Sequence, residues 1–217
     1  MSAATRRSPS RPGGDAPRRS RSGDANRRSR SGSEAPAPAP LFAFLRAVNL
    51  GKVNKVPMAK LMELLAARGF PPTGYLLASG NLAVQAPASD APELRRELVR
   101  AIAEGFDVRT EVVFKTAAEV ARLVREEPLR KAGWPLVYVS LWDSEPDPAG
   151  VEALSAEDFS PDALRLVEGA AYMGYAASSH DARLTNALLE RRLKVPATAR
   201  NVNTLERLLA RFAPPAG

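Results

Sequence analysis

The chain has no cysteine and a single histidine, His180, in 217 residues. Without thiols there is no disulfide, no thiolate nucleophile and no cysteine-ligated zinc. One imidazole excludes histidine-rich metal sites and paired-imidazole chemistry. No apolar run is long enough to span a bilayer, and no P-loop, dinucleotide-binding glycine run or zinc pattern occurs. These absences predict a soluble, cytoplasmic protein with no membrane partner, no metal and no cofactor.

The composition is 45% hydrophobic and 25% charged, which suits one domain or two small halves sharing a core. The net charge of +7 is unevenly spread. Residues 1–40 hold nine arginines against Asp15, Asp24 and Glu34, while the remainder holds 22 basic and 21 acidic residues. The basic character therefore belongs to the N-terminal segment, and the rest is close to neutral. A sequence pI of about 10.1 is then weak evidence that the folded part itself binds nucleic acid.

Residues 1–40 contain no Leu, Ile, Val, Phe, Tyr or Trp. They cannot bury enough apolar area to offset chain entropy, so a disordered tail is expected there. The tail carries an internal repeat: the ten residues from Gly14 recur from Gly23, with Asn26 in place of Pro17. A Pro/Ala run up to Pro40 forms a stiff spacer. Three readings compete for the tail. One is an Arg/Ser arm binding phosphate backbones. The second is a targeting peptide, although an apolar face is missing. The third is a dispensable extension, or a start assigned too far upstream.

From Leu41 the pattern becomes regular. Leu41–Ala47 reads as a buried strand, and Met58, Leu61, Met62 and Leu65 form one helix face ended by Gly69. Two short strands flank Ser79, Gly80 and Asn81. Asp90–Glu93 and Thr116–Glu119 read as capping boxes, on either side of a strand at Arg109–Lys115. The pattern then restarts. A strand spans Leu136–Trp142 and a short helix Pro148–Leu154. A hairpin turns at Glu168 and Gly169, a helix covers Leu184–Leu193, and a last helix is capped by Asn203. The βαββα order thus occurs twice. It predicts an α+β fold of two ferredoxin-like (βαββαβ-type) halves, 41–127 and 128–217, each an antiparallel sheet with helices on one face.

Two polar loops stand out. The first, after the opening strand, offers Arg46, Asn49, Lys52, Asn54 and Lys55 ahead of a helix opened by Pro57. Cations and free backbone N–H groups at a helix N-terminus suit an anion; equally, Asn49 and Gly51 suit a plain turn. The second loop offers Arg200 and Asn201, with Glu190 and Glu206 as candidate ion-pair partners for Arg200. The expected ligand-binding set is Arg46, Asn49, Lys52, Lys55, Arg200 and Asn201, converging between the halves. Asp143, Glu145 and Asp147 are an alternative hard-cation set, but a Pro-broken acidic loop is more often solvated. Ser178, Ser179, His180 and Asp181 lie consecutively, which is not the spatial arrangement of a triad. No catalytic residue is assigned.

These motifs resemble an uncharacterised bacterial family, domain of unknown function 1697 (DUF1697). The resemblance covers 41–212. It rests on Arg46–Lys52 with Lys55–Met58, on Ser79–Asn81, and on Ala182–Thr185, Leu189–Lys194 and Thr198–Thr204. It implies two ferredoxin-like halves and no established activity. This chain departs from the family pattern at Ala47 and Lys52, where the family has glycines. Ala47 there argues against a need for positive φ. Ala182 and Val202 replace a serine and a tryptophan, so neither a serine nucleophile nor a stacking indole is available at those positions.

The function read from the sequence is an anion-binding module for a nucleotide or a nucleic-acid phosphate backbone. The alternatives are an enzyme acting on a small phosphorylated or carboxylated metabolite and a protein–protein interaction domain.

Overall fold

A computed structural model describes residues 40–213. The tail expected to be disordered lies outside the described residues, apart from Pro40. The first half runs β1 (Leu41–Leu45), α1 (Met58–Ala67), β2 (Gly74–Leu76), β3 (Asn81–Val84), α2 (Ala91–Phe106), β4 (Val112–Thr116) and α3 (Ala117–Arg125). The second runs β5 (Leu136–Leu141), α4 (Pro148–Ala156), β6 (Ala163–Val167), β7 (Ala170–Tyr175), α5 (Asn186–Leu193), β8 (Thr198–Asn201) and α6 (Val202–Phe212). The sheets have orders β2-β3-β1-β4 and β6-β7-β5-β8, and every pairing is antiparallel. This is the ferredoxin-like order expected, present twice.

The strands explain the layering through their period of two. In β1, Leu41, Ala43 and Leu45 pack with α1 and α2, while Phe42 and Phe44 face the opposite way. In β7, Ala171, Met173 and Tyr175 pack with α4 and α5, while Ala170 and Tyr172 face the opposite way. The opposite faces meet in one shared core with Val120 and Leu123 of α3 and Val202, Leu205 and Leu208 of α6. Helices were expected on one face of each sheet. That describes α1/α2 and α4/α5, but α3 and α6 occupy the layer between the sheets. Both faces of the central strands are therefore covered, and β1 reads as a continuous apolar run.

Two capping assignments differ from expectation. Thr116 and Glu119 form the complete reciprocal box, but Asp90 makes no side-chain cap, because Ala88–Asp90 already turns as a 3₁₀ helix. The cap of α6 is Asn201, whose Oδ1 accepts from the Asn203 N–H at 2.9 Å, and not Asn203 itself.

Two buried tyrosines anchor the cores. The Tyr172 hydroxyl donates to the Leu123 carbonyl at 2.8 Å, and the Tyr175 hydroxyl to the Leu184 carbonyl at 2.9 Å. Burial pushes both phenols up to about 12. Unfolded tyrosine titrates near ~10. Between those values the folded chain holds protons that the unfolded chain has lost, so stability falls as pH rises. Each phenol contributes at most ~1.4 kcal/mol per pH unit. Arg200, pulled down to about 10 by burial, works in the opposite direction. The expected result is that Tyr172→Phe or Tyr175→Phe makes the urea midpoint fall less steeply from pH 10 to 12 than in the wild type. Identical pH slopes in all three proteins would refute this.

Candidate functional site

The first polar loop folds mostly onto itself. The Asn49 amide donates to the carbonyls of Val56 (2.9 Å) and Ala78 (2.6 Å), and its oxygen accepts from the Val56 N–H at 2.9 Å. Asn54 donates to the Ala47 carbonyl at 2.9 Å and Lys55 to the Gly51 carbonyl at 2.5 Å. Ala47, Asn49, Gly51 and Asn54 all have φ between +51° and +53°. Ala47 therefore does occupy the left-handed region, contrary to the inference from its replacing a glycine. The loop's own hydrogen bonds hold it in a conformation that costs an L-residue about 1–2 kcal/mol. Lys52 sits at the exposed tip and has no hydrogen-bond or ion-pair partner among the described residues. It lies between Leu50 and Val53, which are 57% and 60% exposed. Lys55 and Met58 border an open depression of about 520 Å³ beside Tyr75.

Arg46 crosses to the other half. Its Nε and Nη2 grip Glu190 in α5 at 2.5 and 2.7 Å, and Glu190 also accepts the Ala197 N–H at 2.8 Å. The carboxylate raises the Arg46 pKa above its ordinary value, against a smaller lowering by burial. Glu190 thus belongs to Arg46, and Glu206 to Arg130 at 2.6 Å. Arg200 pairs with neither of its expected carboxylates.

Arg200 is 8% exposed and joins the halves. Nε donates to Asn81 Oδ1 at 2.5 Å. Nη1 donates to Thr198 Oγ1 at 2.6 Å and to the Ala199 carbonyl at 2.8 Å. Nη2 donates to the carbonyls of Leu45 at 2.6 Å and Ser79 at 3.1 Å. That engages all five N–H groups of a guanidinium, and the group also lies 5.7 Å from the Phe44 ring centroid. The loops do converge between the halves, but as a structural staple. Asn201 is spent as a helix cap. Of the six expected ligand contacts, Lys52 and Lys55 lie at the surface of the first loop. Asn49 and Arg200 have their polar groups committed within the protein, Arg46 has its Nε and Nη2 on Glu190, and Asn201 has its Oδ1 on the Asn203 N–H.

A larger cavity lies elsewhere among the described residues, an open groove of about 940 Å³ where the halves face each other. Its first wall is Lys115 at the end of β4 with Glu119 and Arg122 of α3. Its second wall is Trp142, the loop through Glu145, α4 and the β6–β7 turn. Lys115 shares the inward face of β4 with Val113 and is only 5% exposed. Its ammonium faces one carboxylate oxygen, Glu119 Oε1, at 3.5 Å. Gly169 makes room for it: with φ +68°, a Cβ at that position would lie 2.5 Å from Lys115 Nζ. The other oxygen of Glu119 accepts from the Thr116 N–H at 2.7 Å and hydroxyl at 2.8 Å. Burial alone would push the Glu119 carboxyl up, but the two Thr116 bonds and Lys115 outweigh it and hold it below its ordinary value. Arg122 donates to the Glu168 carbonyl at 3.2 Å. Trp142 is 2% exposed, and its indole Nε1 is buried without a hydrogen-bond partner.

The acidic loop does not assemble a cation site. Asp143 contacts Arg95 and accepts the Phe114 N–H at 2.7 Å. Asp147 accepts the Gly150 N–H at 3.2 Å at the start of α4 and pairs with Lys194 at 3.2 Å. Glu145 alone has no partner among the described residues, which contain no cluster of three or more metal-ligating side chains. His180 is exposed. Sequence reasoning missed the groove because Lys115 looks like the solvent-facing end of an alternating strand. The one available signal was its i, i+4 spacing from Glu119.

No helix among the described residues is long and apolar enough to cross a membrane. No curated protein matches the chain. Among solved structures, conserved bacterial protein SP0830 from Streptococcus pneumoniae is similar. The match covers 80% of this chain and 98% of that one, with a TM-score of 0.58 and 19% identity. At that identity the likeness speaks for the fold alone. A family model described as "Protein of unknown function (DUF1697)" matches residues 40–172. The match takes in the first half and the residues of both groove walls, and ends within β7. This chain belongs to the DUF1697 family.

Proposed function

We propose that this chain is a binding module for a small phosphorylated or carboxylated metabolite, held in the groove between the halves with Lys115 as its anchor. The observation that carries this reading is the state of Lys115: a side chain only 5% exposed that lines the groove, its ammonium carrying three N–H donors and facing one ion-pair oxygen at 3.5 Å. A buried charge with unfilled hydrogen bonds is costly. An oxyanion would complete its shell with charge-assisted bonds, strengthened by the low local dielectric. The near-neutral charge outside residues 1–40 and the carboxylates around the groove favour a small ligand over a nucleic-acid backbone.

An enzyme acting on the same class of compound is the second reading. It draws on the Lys115–Glu119 pair, an ammonium and a carboxylate 3.5 Å apart at the groove wall that can serve a substrate as acid and base. Calorimetric titration of wild type and Lys115→Met with inorganic phosphate and a panel of small carboxylates and phosphate monoesters tests the binding site. The expected result is at least tenfold weaker binding to the variant, with Lys52→Glu unaffected. The opposite pattern, loss in Lys52→Glu alone, would return the site to the first loop.

A further inference from the structure

We infer that the compound taken by the groove is a small zwitterion, an acid and an amine carried on one apolar body. This inference rests on the groove being the binding site.

The groove's charges are largely cancelled in place. Lys115 faces Glu119, Arg122 faces Glu168 at 3.8 Å, and Asp143 is spent on Arg95 and the Phe114 N–H. What remains unspent is specific. On the donor side are the spare N–H groups of Lys115, which has a single ion-pair oxygen at 3.5 Å. On the acceptor side is the carboxylate of Glu145, which lines the same groove without a partner among the described residues.

A polyanion such as a nucleoside triphosphate would set several negative charges against Glu119, Glu145 and Glu168 and find two cations already paired. A plain carboxylate would satisfy the donors and leave Glu145 facing a like charge. A zwitterion satisfies both: its carboxylate accepts from Lys115, and its ammonium meets Glu145. Part of the groove wall is apolar, formed by Val151, Leu166 and Val167, and Val167 is one of the few large apolar side chains left exposed among the described residues. That wall suits an aliphatic or aromatic body. Apolar α-amino acids have this combination of groups.

The test is calorimetric titration of the full chain with L-leucine, L-methionine and L-phenylalanine, each beside its N-acetyl derivative (acid only) and its amide (amine only), and with inorganic phosphate. The expected result is that at least one free amino acid binds tenfold or more tightly than both of its derivatives. Glu145→Gln should reduce that amino acid to the affinity of its N-acetyl form, and Lys115→Met should weaken both. If the N-acetyl acids bind as well as the free amino acids, or phosphate alone binds, the zwitterion inference falls while the anion site stands. If nothing in the set binds, the inference falls together with the site. Glu145 is exposed, so its variant tests the contact without endangering the fold.

Discussion

Gly150→Ala is expected to destabilise the chain by about 3 kcal/mol or more. The sign is diagnostic. Glycine to alanine inside a helix ordinarily stabilises by about 1 kcal/mol, because alanine loses less backbone entropy. Here α4 lies so close to the end of α5 that a Cβ on Gly150 would sit 1.9 Å from the Arg192 carbonyl oxygen and 2.7 Å from its carbon. These are backbone atoms, which cannot swing aside as a side chain can. The helices would have to separate, and Asp147, whose N–H donates to the Leu193 carbonyl at 2.8 Å, would lose its place. Urea unfolding measures the change, with the exposed neighbour Ala149→Ser as a near-neutral control. A Gly150→Ala protein as stable as wild type would mean that the two helices are not in this contact.

The second large effect belongs to Arg200. Arg200→Ala should cost about 4 kcal/mol or more, since each buried acceptor left unsatisfied costs ~1–3 kcal/mol. Asn81 Oδ1 and the Leu45 carbonyl would both lose their charged donor, and they belong to the first half while Arg200 belongs to the second. Lysine should recover little, because one ammonium cannot reproduce a planar fork directed at five oxygens. A double-mutant cycle with Asn81→Leu should show a coupling of about 1 kcal/mol or more, because the two side chains share one bond. If Arg200→Ala kept wild-type stability and lost ligand affinity instead, Arg200 would be a ligand contact and not a staple.

The contrast between Arg200 and Lys115 shows where sequence reading stops. Periodicity carried the fold: the i, i+3, i+4 spacing of α1 and α2, the alternation of the strands and the turn residues at Gly80 and Gly169 were enough to recover the βαββα order twice, while β8, only four residues long, was not assigned. Local chemistry carried the Thr116–Glu119 cap, because both partners lie within four residues. Asn201 and Asn203 are equally good caps on paper, and only the helix start decides between them. Partner choice over long separations was not legible. Glu190 has Arg46, 144 residues away, and not the nearer Arg200. Nor was the covering of both sheet faces, which turns Lys115 from a solvated strand end into a buried ammonium. Ala47 failed for a different reason: a residue type reports what a conformation prefers, and the hydrogen bonds of Asn49 and Asn54 override that preference.

The most direct test of the groove as the binding site is an amide and indole NMR titration of the full chain with L-leucine, and in parallel with inorganic phosphate. The account predicts that the Trp142 indole N–H and the backbone amides of Gly169 and Glu145 shift together, while Trp134 and the loop amides from Gly51 to Lys55 stay in place. Shifts confined to Gly51–Lys55, or none anywhere at millimolar ligand, would contradict it.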